Sequence, residues 1–311
     1  MTTAQVTSPL PETLWHYTDA AGLIGILSNE DVAPTPGVVG SGTFKPILWA
    51  SAAQFLNDRR ELVHGLELVK GHIEEVIDPP TGTISPLGTV TPTLMNAKKD
   101  FLRELCRAID AVIERRYEAY IHCCTISFSE DPDVLSQWRA YGGGLGGFSI
   151  GFNTSQFPHS DGSRAHVGGL GLHKVSYTSD ALEGKLLKAV KGYIDQLLLS
   201  PDTPKPTRTR VHREMQSLAF FAASVKHKGF EEEREWRFIE PGFFNPPEFR
   251  ATPSGLIPYR KIELPASAVT GAWVGPGPNQ YENYVAVQSL LHRLGYLAAS
   301  YNVHCSETPF R

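Results

Sequence analysis

Glu233, Glu235 and Arg237 stand at alternate positions in the stretch 226–240, KHKGFEEEREWRFIE. If Glu233 to Glu240 is a strand, these three side chains share one face, and Arg234, Trp236 and Phe238 share the other. The Trp and Phe face belongs in a core. The opposite face is then a row of two carboxylates and a guanidinium, with roughly 7 Å between alternate residues. Such a row is either a solvated edge or the floor of a cleft. On a cleft floor, a fixed carboxylate stabilises positive charge that develops during a reaction, and a second one can orient or deprotonate a nucleophile. Like charges this close repel, and Arg237 on the same face would keep both ionised. Upstream, Lys226 and Lys228 sit where a helix C-terminus favours cations, and Gly229 is a natural stop, which predicts a helix over 210–228.

Other residue types add candidates. On the short strand LWHYT, His16 faces away from Trp15 and Tyr17. In FLNDRRE, Asn57 and Asp58 are helix caps, and Glu61 completes a capping box if Asp58 caps. In SFSEDPDVLSQWRAYG, Trp138 and Tyr141 form an i, i+3 pair on a short helix. That pair reads as an apolar stripe or as a stacking platform for a base beside a glycine loop. Gly142, Gly144 and Gly147 spell GxGxxG, but they follow a helix and precede a strand, the reverse of a dinucleotide-binding fingerprint. The eleven histidines include no HExxH pair, so no zinc or other metal site is expected. Cys123 and Cys124 lie in an apolar strand, where a small hydrophobe is the usual role.

Those residues need a scaffold. The 311 residues are 41% hydrophobic and 20% charged, the composition of a globular protein with one large core or two modest ones. With 29 basic against 33 acidic residues the net charge is −4, which excludes a broad basic field for duplex nucleic acid but not a small nucleotide. No apolar run reaches the length of about 20 residues needed to span a membrane, and four cysteines without CxxC spacing fit a reduced, cytoplasmic setting. Residues 1–12 read as a disordered leader, and 13–311 as a single α+β domain. Strands are expected at Leu14–Thr18, Ile47–Ser51, Tyr120–Phe128, Gly147–Phe152, Leu172–Thr178, Glu233–Glu240, Tyr259–Pro265, Gly271–Gly275 and Ala299–Cys305. A helical hairpin insertion over 57–119 carries apolar stripes at Leu62, Leu66, Val69, Ile73 and Val76, and at Phe101, Leu105, Ile109 and Val112. Irregular alternation of strands and helices predicts a mixed, mostly antiparallel sheet.

The combination of LWHYT, LWAS with FLNDRRE, SFSE with LSQWRAYGGGLGGFSIGF, KHKGFEEEREWR and the closing Ser-x-Thr-Pro-Phe-Arg resembles the bacterial DUF2971 family over nearly the whole chain, apart from the leader and the helical-hairpin region. More loosely, the chain is similar to the ADP-ribosyltransferase fold, which implies a split sheet with NAD as substrate. On that resemblance Glu235 is the catalytic acid and Glu233 assists. His16 binds the NAD ribose beside Tyr17, and Trp49, Ser51 or Tyr141 stands for the middle element. Trp138 and Tyr141 hold a ring, while Arg237 or the terminal Arg311 meets the diphosphate. The activity implied is ADP-ribosyl transfer to an acceptor macromolecule, or NAD hydrolysis, in a bacterial toxin or phage-defence role. Two further readings stand beside it: a non-catalytic nucleotide-binding module, and a metal-dependent nuclease using Asp58, Glu61, Glu233 and Glu235 around Mg²⁺.

Overall fold

A computed structural model describes residues 10–30, 44–55, 59–79, 81, 91–115, 123–144, 146–158, 171–178, 188, 190–197, 207–241, 247–252 and 255–309. The leader up to residue 9, Asn57, Asp58 and Arg311 lie outside the described residues.

In chain order the strands are β1 (Thr13–Thr18), β2 (Asn29–Glu30), β3 (Phe44–Lys45), β4 (Ile47–Ala52), β5 (Cys123–Ser129), β6 (Phe148–Asn153), β7 (Gly171–Lys174), β8 (Ser176–Thr178), β9 (Val225–His227), β10 (Glu235–Pro241), β11 (Glu248–Thr252), β12 (Gly255–Glu263), β13 (Val269–Val274) and β14 (Val303–Cys305). The helices are α1 (Ala20–Leu27), α2 (Arg59–Ile77), α3 (Pro92–Ile113), α4 (Leu135–Tyr141), α5 (Arg208–Ala223), α6 (Gln280–Arg293) and α7 (Leu297–Ser300). Among the described residues, ten strands form one sheet in the order β11-β12-β4-β5-β1-β6-β13-β14, with β10 on the far edge of β5 and β7 outside β10. Its pairings are antiparallel apart from β13 with β14. The protein is therefore α+β with a mostly antiparallel sheet.

One feature of this sheet positions the site. Along one edge β5 pairs with β10 from Cys123 to Ser129. Its other edge is shared: β4 pairs at Cys124 and Thr125, and β1 pairs only at Ser129. The sheet forks between β4 and β1. In the fork His16 Nδ1 lies 2.9 Å from the carbonyl of Ser127. A carbonyl only accepts, so this nitrogen carries the proton. The imidazole thus satisfies a backbone group that the missing ladder would leave open.

Each face of the sheet carries its own apolar core. On one face, Leu23, Ile26 and Leu27 of α1 and Val287 and Leu291 of α6 pack with Leu14, Ile126, Phe128, Phe152, Trp236 and Phe238. On the other, α2, α3 and α5 bury Leu66, Val69, Ile73, Phe101, Leu105, Ile109 and Leu218 against Cys123 and Ile239. The 3.6-residue recurrence of those side chains is what turns one stripe of each helix to the sheet. The α2 and α5 backbones meet at Gly65, where a Cβ would stand 2.4 Å from the Ala222 carbonyl oxygen. Gly65→Ala is expected to destabilise by about 2 kcal/mol, because the backbone it meets cannot move aside without separating the helices. A urea midpoint unchanged from wild type would show that the contact is not tight.

Several boundaries differ from the sequence expectation. The helix predicted over 210–228 ends at Ala223, and Val225–His227 instead pairs in parallel with Ser176–Thr178. The strand expected over Leu172–Thr178 is two strands in two sheets. Glu233 ends a 3₁₀ turn, Arg234 is left-handed at φ 43°, and the acidic strand begins at Glu235. Local alternation could not show these breaks, because each is set by a partner distant in sequence.

Candidate functional site

Among the residues of β5, Ser127 alone is not fully buried. It marks where the fork opens. Around it converge five charged side chains from four elements: Glu61 in the first turn of α2, Lys226 on β9, Glu233 in the 3₁₀ turn, and Glu235 and Arg237 on β10. Lys226 Nζ lies 2.6 Å from Glu233, 3.0 Å from Glu61 and 3.1 Å from Glu235. Arg237 donates to Glu235 through Nε at 2.6 Å and Nη2 at 3.0 Å, to the Ala223 carbonyl through Nη1 at 2.7 Å, and to Glu61 through Nη2. Glu235 is 4% exposed and Arg237 2%. Ion pairs this deep persist only when their donors and acceptors are matched, and here nearly every arm is used.

The break at Arg234 explains how Glu233 and Glu235 both reach Lys226. In a regular strand their carboxylates would stand roughly 7 Å apart. With Arg234 left-handed, the carbonyl of Glu233 accepts from the Ser129 hydroxyl at 2.8 Å, and its carboxylate folds back to the ammonium. Tyr177 closes one side: its hydroxyl accepts the Glu235 amide at 2.7 Å. Phe230 covers Lys226, whose Nζ stands 4.8 Å from the ring centroid.

Environment drives the two acids apart. Burial alone would raise Glu235, but the Arg237 guanidinium overrides it, with Lys226 and the Ser127 hydroxyl helping, and holds the carboxyl at about 2. Burial pushes Glu233 up, against the pull of Lys226, and the negative charges of Glu235 and Glu61 add to the rise. A pair of carboxyls separated in this way is the usual arrangement for one permanently ionised group and one that exchanges protons. Because the folded value of Glu235 lies below its unfolded 4.5, its contribution to stability is complete above that pH and lost as pH falls towards 2. The loss is on the order of 3 kcal/mol. Urea unfolding between pH 5 and pH 2.5 is expected to show it, with a smaller fall in Glu235→Gln; equal falls would place the acid sensitivity elsewhere.

The remaining sequence-predicted residues are distributed as follows. His16 lies at the fork on the opposite face from Glu235, its ring 5.6 Å from Phe128, and burial lowers its pKa. The two are linked through Ser127, whose carbonyl meets His16 and whose hydroxyl meets Glu235. The Tyr17 hydroxyl donates to the Asp131 carbonyl and accepts from Val134 N, which sets the entry to α4. Trp138 is 3% exposed, edge-on to Tyr17 at 4.6 Å, and donates to Asp133 at 2.7 Å. Asp133 also accepts from Ser306, Glu307 N and Thr308, which is the structural work of the closing Ser-x-Thr. Tyr141, at the end of α4, is 37% exposed. Burial of the hydroxyl end and then the Glu235 charge push its pKa up, so the hydroxyl feels the charged cluster. Ser51 is buried and accepts from Arg250 at 2.9 Å. Of the acids invoked for a nuclease, Glu61, Glu233 and Glu235 do converge, but on Lys226 and Arg237.

Sequence reasoning treated Lys226 as a helix-end cation and Glu61 as a cap, and did not single out Tyr177 or Ser127. The three hydroxyls of β5 at Thr125, Ser127 and Ser129, on one face of an otherwise apolar strand, were the available signal. After α4 the chain turns through Gly142–Gly147, where Gly143, Gly144, Gly146 and Gly147 all have positive φ. A Cβ at Gly142 would fall 1.7 Å from the Gly146 carbonyl oxygen. The glycines therefore make a tight turn against α1, with Gly143 beside Asp19, while Gly25 of the same helix lies against Trp49. Beside α4, a cavity of about 500 Å³ is lined by Val134, Leu135, Ser136, Arg139, Ala140 and Glu232.

No curated protein and no solved structure matches the chain. Residues 137–238 match the family model described as protein of unknown function (DUF2971). The matched span runs from α4 through the glycine turn to β10 and includes Tyr141, Tyr177, Lys226, Glu233, Glu235 and Arg237, and over these residues the chain is similar to the DUF2971 family.

Proposed function

We propose that the fork is the active site of an NAD-consuming enzyme, which transfers ADP-ribose to an acceptor macromolecule or hydrolyses NAD. The observation that carries the reading is Glu235: buried, ionised and held by two cations at the open end of a forked sheet. Cleavage of the bond between nicotinamide and ribose develops positive charge at the anomeric carbon, and the leaving nicotinamide takes the bonding pair. A carboxylate already fixed and ionised stabilises that charge without reorganising. An acceptor nucleophile or water then bonds to the anomeric carbon and loses its proton, which Glu233, the acid with the raised pKa, receives in this reading. Tyr141 supplies a partly exposed aromatic ring whose hydroxyl feels the same cluster, and the cavity beside α4 would seat the acceptor.

One observation favours the second reading, a nucleotide-binding module without turnover: both oxygens of Glu235 are already engaged by Arg237 and Lys226. Incubating purified protein with NAD and measuring nicotinamide release separates the two. Release by wild type and its loss in Glu235→Gln supports the enzyme; equal behaviour of the two proteins, with and without candidate acceptors, removes it.

A further inference from the structure

We propose that the patch formed by Trp49, Arg250 and Tyr259 is a binding subsite for a planar ring that carries a phosphate, that is, for one nucleotide unit. The three residues come from neighbouring strands β4, β11 and β12 and meet at one end of the sheet. By register, Ser51 stands opposite Tyr259 on one side and Thr125 on the other. The patch therefore continues the row of β5 side chains that includes Ser127, about 7 Å from Thr125 at strand rise.

The ring component is Trp49. It is 38% exposed, and its centroid is 5.3 Å from that of Tyr259 at a tilt of 44°. A large aromatic left partly open beside a second ring presents a flat apolar face of the kind on which bases stack. The anion component is Arg250. An arginine on an edge strand ordinarily extends its charged head into water. Arg250 instead lies over Trp49, its Cζ 5.5 Å from the ring centroid, and donates to Ser51. Its Nε is buried without a partner among the described residues, and so is the Oγ1 of Thr125, a residue 2% exposed. Arg250 makes no ion pair among the described residues, while the nearby Glu248 is taken by Lys261 at 2.8 Å. Buried donors left unmatched are costly, and a ligand that accepts from them removes that cost. A guanidinium fixed on an aromatic face without a counter-anion matches a phosphate, whose several acceptor oxygens suit its fork, joined to a ring that stacks on the tryptophan.

The subsite involves no step at Glu235, so its test uses AMP, which has no nicotinamide bond to break, and failure of the catalytic reading leaves this outcome untouched. Calorimetric titration of the full chain with AMP, adenosine and inorganic phosphate is expected to give saturable AMP binding at least tenfold tighter than either fragment. Arg250→Gln and Trp49→Leu, each with an unchanged far-ultraviolet circular dichroism spectrum, are expected to weaken AMP at least tenfold. Arg293→Gln, the same charge change at an exposed position on α6, is expected to leave it within twofold. Absence of saturable AMP binding overturns the proposal, as does an Arg250→Gln protein that binds AMP like wild type. Adenosine binding as tightly as AMP overturns the role of the guanidinium, and phosphate binding as tightly as AMP overturns that of the ring; either rejects the subsite as stated.

Discussion

Replacing Arg237 with methionine is expected to lower the free energy of unfolding by about 3–5 kcal/mol, the largest effect of any single substitution in the cluster. The side chain is buried and spends its donors on Glu235, Glu61 and the Ala223 carbonyl. Methionine fills similar volume but leaves two carboxylates and a carbonyl facing a low-dielectric interior. The remaining cation, Lys226, touches all three acids but sets one positive charge against three negative ones. Because small proteins are stable by only about 5–15 kcal/mol, the variant falls close to the threshold for folding. Arg237→Lys is expected to be intermediate, since an ammonium keeps the charge but cannot reach both carboxylates with a planar fork. Adding Glu235→Gln to Arg237→Met is expected to recover part of the loss, because it removes one of the charges left unpaired. Urea midpoints at pH 7 measure the series. An Arg237→Met protein within 1 kcal/mol of wild type would mean that water reaches the cluster and screens it.

Glu235→Gln is expected to reduce nicotinamide release by about 10²- to 10³-fold, the scale of losing one preorganised electrostatic group. Glutamine keeps the shape and one acceptor oxygen but not the charge that opposes the developing cation. The loss is expected in kcat more than in KM, because the charge it stabilises arises only in the transition state. The pH profile separates the two acids. Glu235, held at about 2, stays ionised across the working range and sets no limb. Glu233 is raised by burial and must lose its proton to act as a base, so the acidic limb rises at a pH above the ordinary carboxylate value of 4.5. Glu233→Gln is expected to flatten that limb. A limb that survives the substitution would assign the proton transfer to another group.

How far the sequence reaches can be judged from particular residues. The amphipathic stripes of α2 and α3 were legible, because a 3.6-residue repeat of large apolar side chains leaves one way to bury them. The alternation of Trp236 and Phe238 against Glu235 and Arg237 was legible for the same reason at period two. Lys226 was not. A lysine after a long amphipathic run looks like a helix-end cation, and only the short parallel pairing of Val225–His227 with Ser176–Thr178 turns it into the ammonium that three carboxylates share. Trp138 and Tyr141 could not be told apart by spacing, yet one is sealed against Tyr17 and the other stands open beside the cluster.

The order of residues alone therefore determined which side chains carry charge, which stripes are apolar, and that the class is α+β. Those properties depend on periods of two and 3.6 residues, which need no distant partner. The tertiary structure decided the rest: that β5 gives one edge to two diverging strands, that His16 and Glu235 take opposite faces of the fork, and that the row of acids is buried against Lys226 and Arg237 rather than solvated. Each of these depends on contacts between segments far apart in the chain, and in the low dielectric of the interior such contacts, rather than residue type, set where a charge can reside.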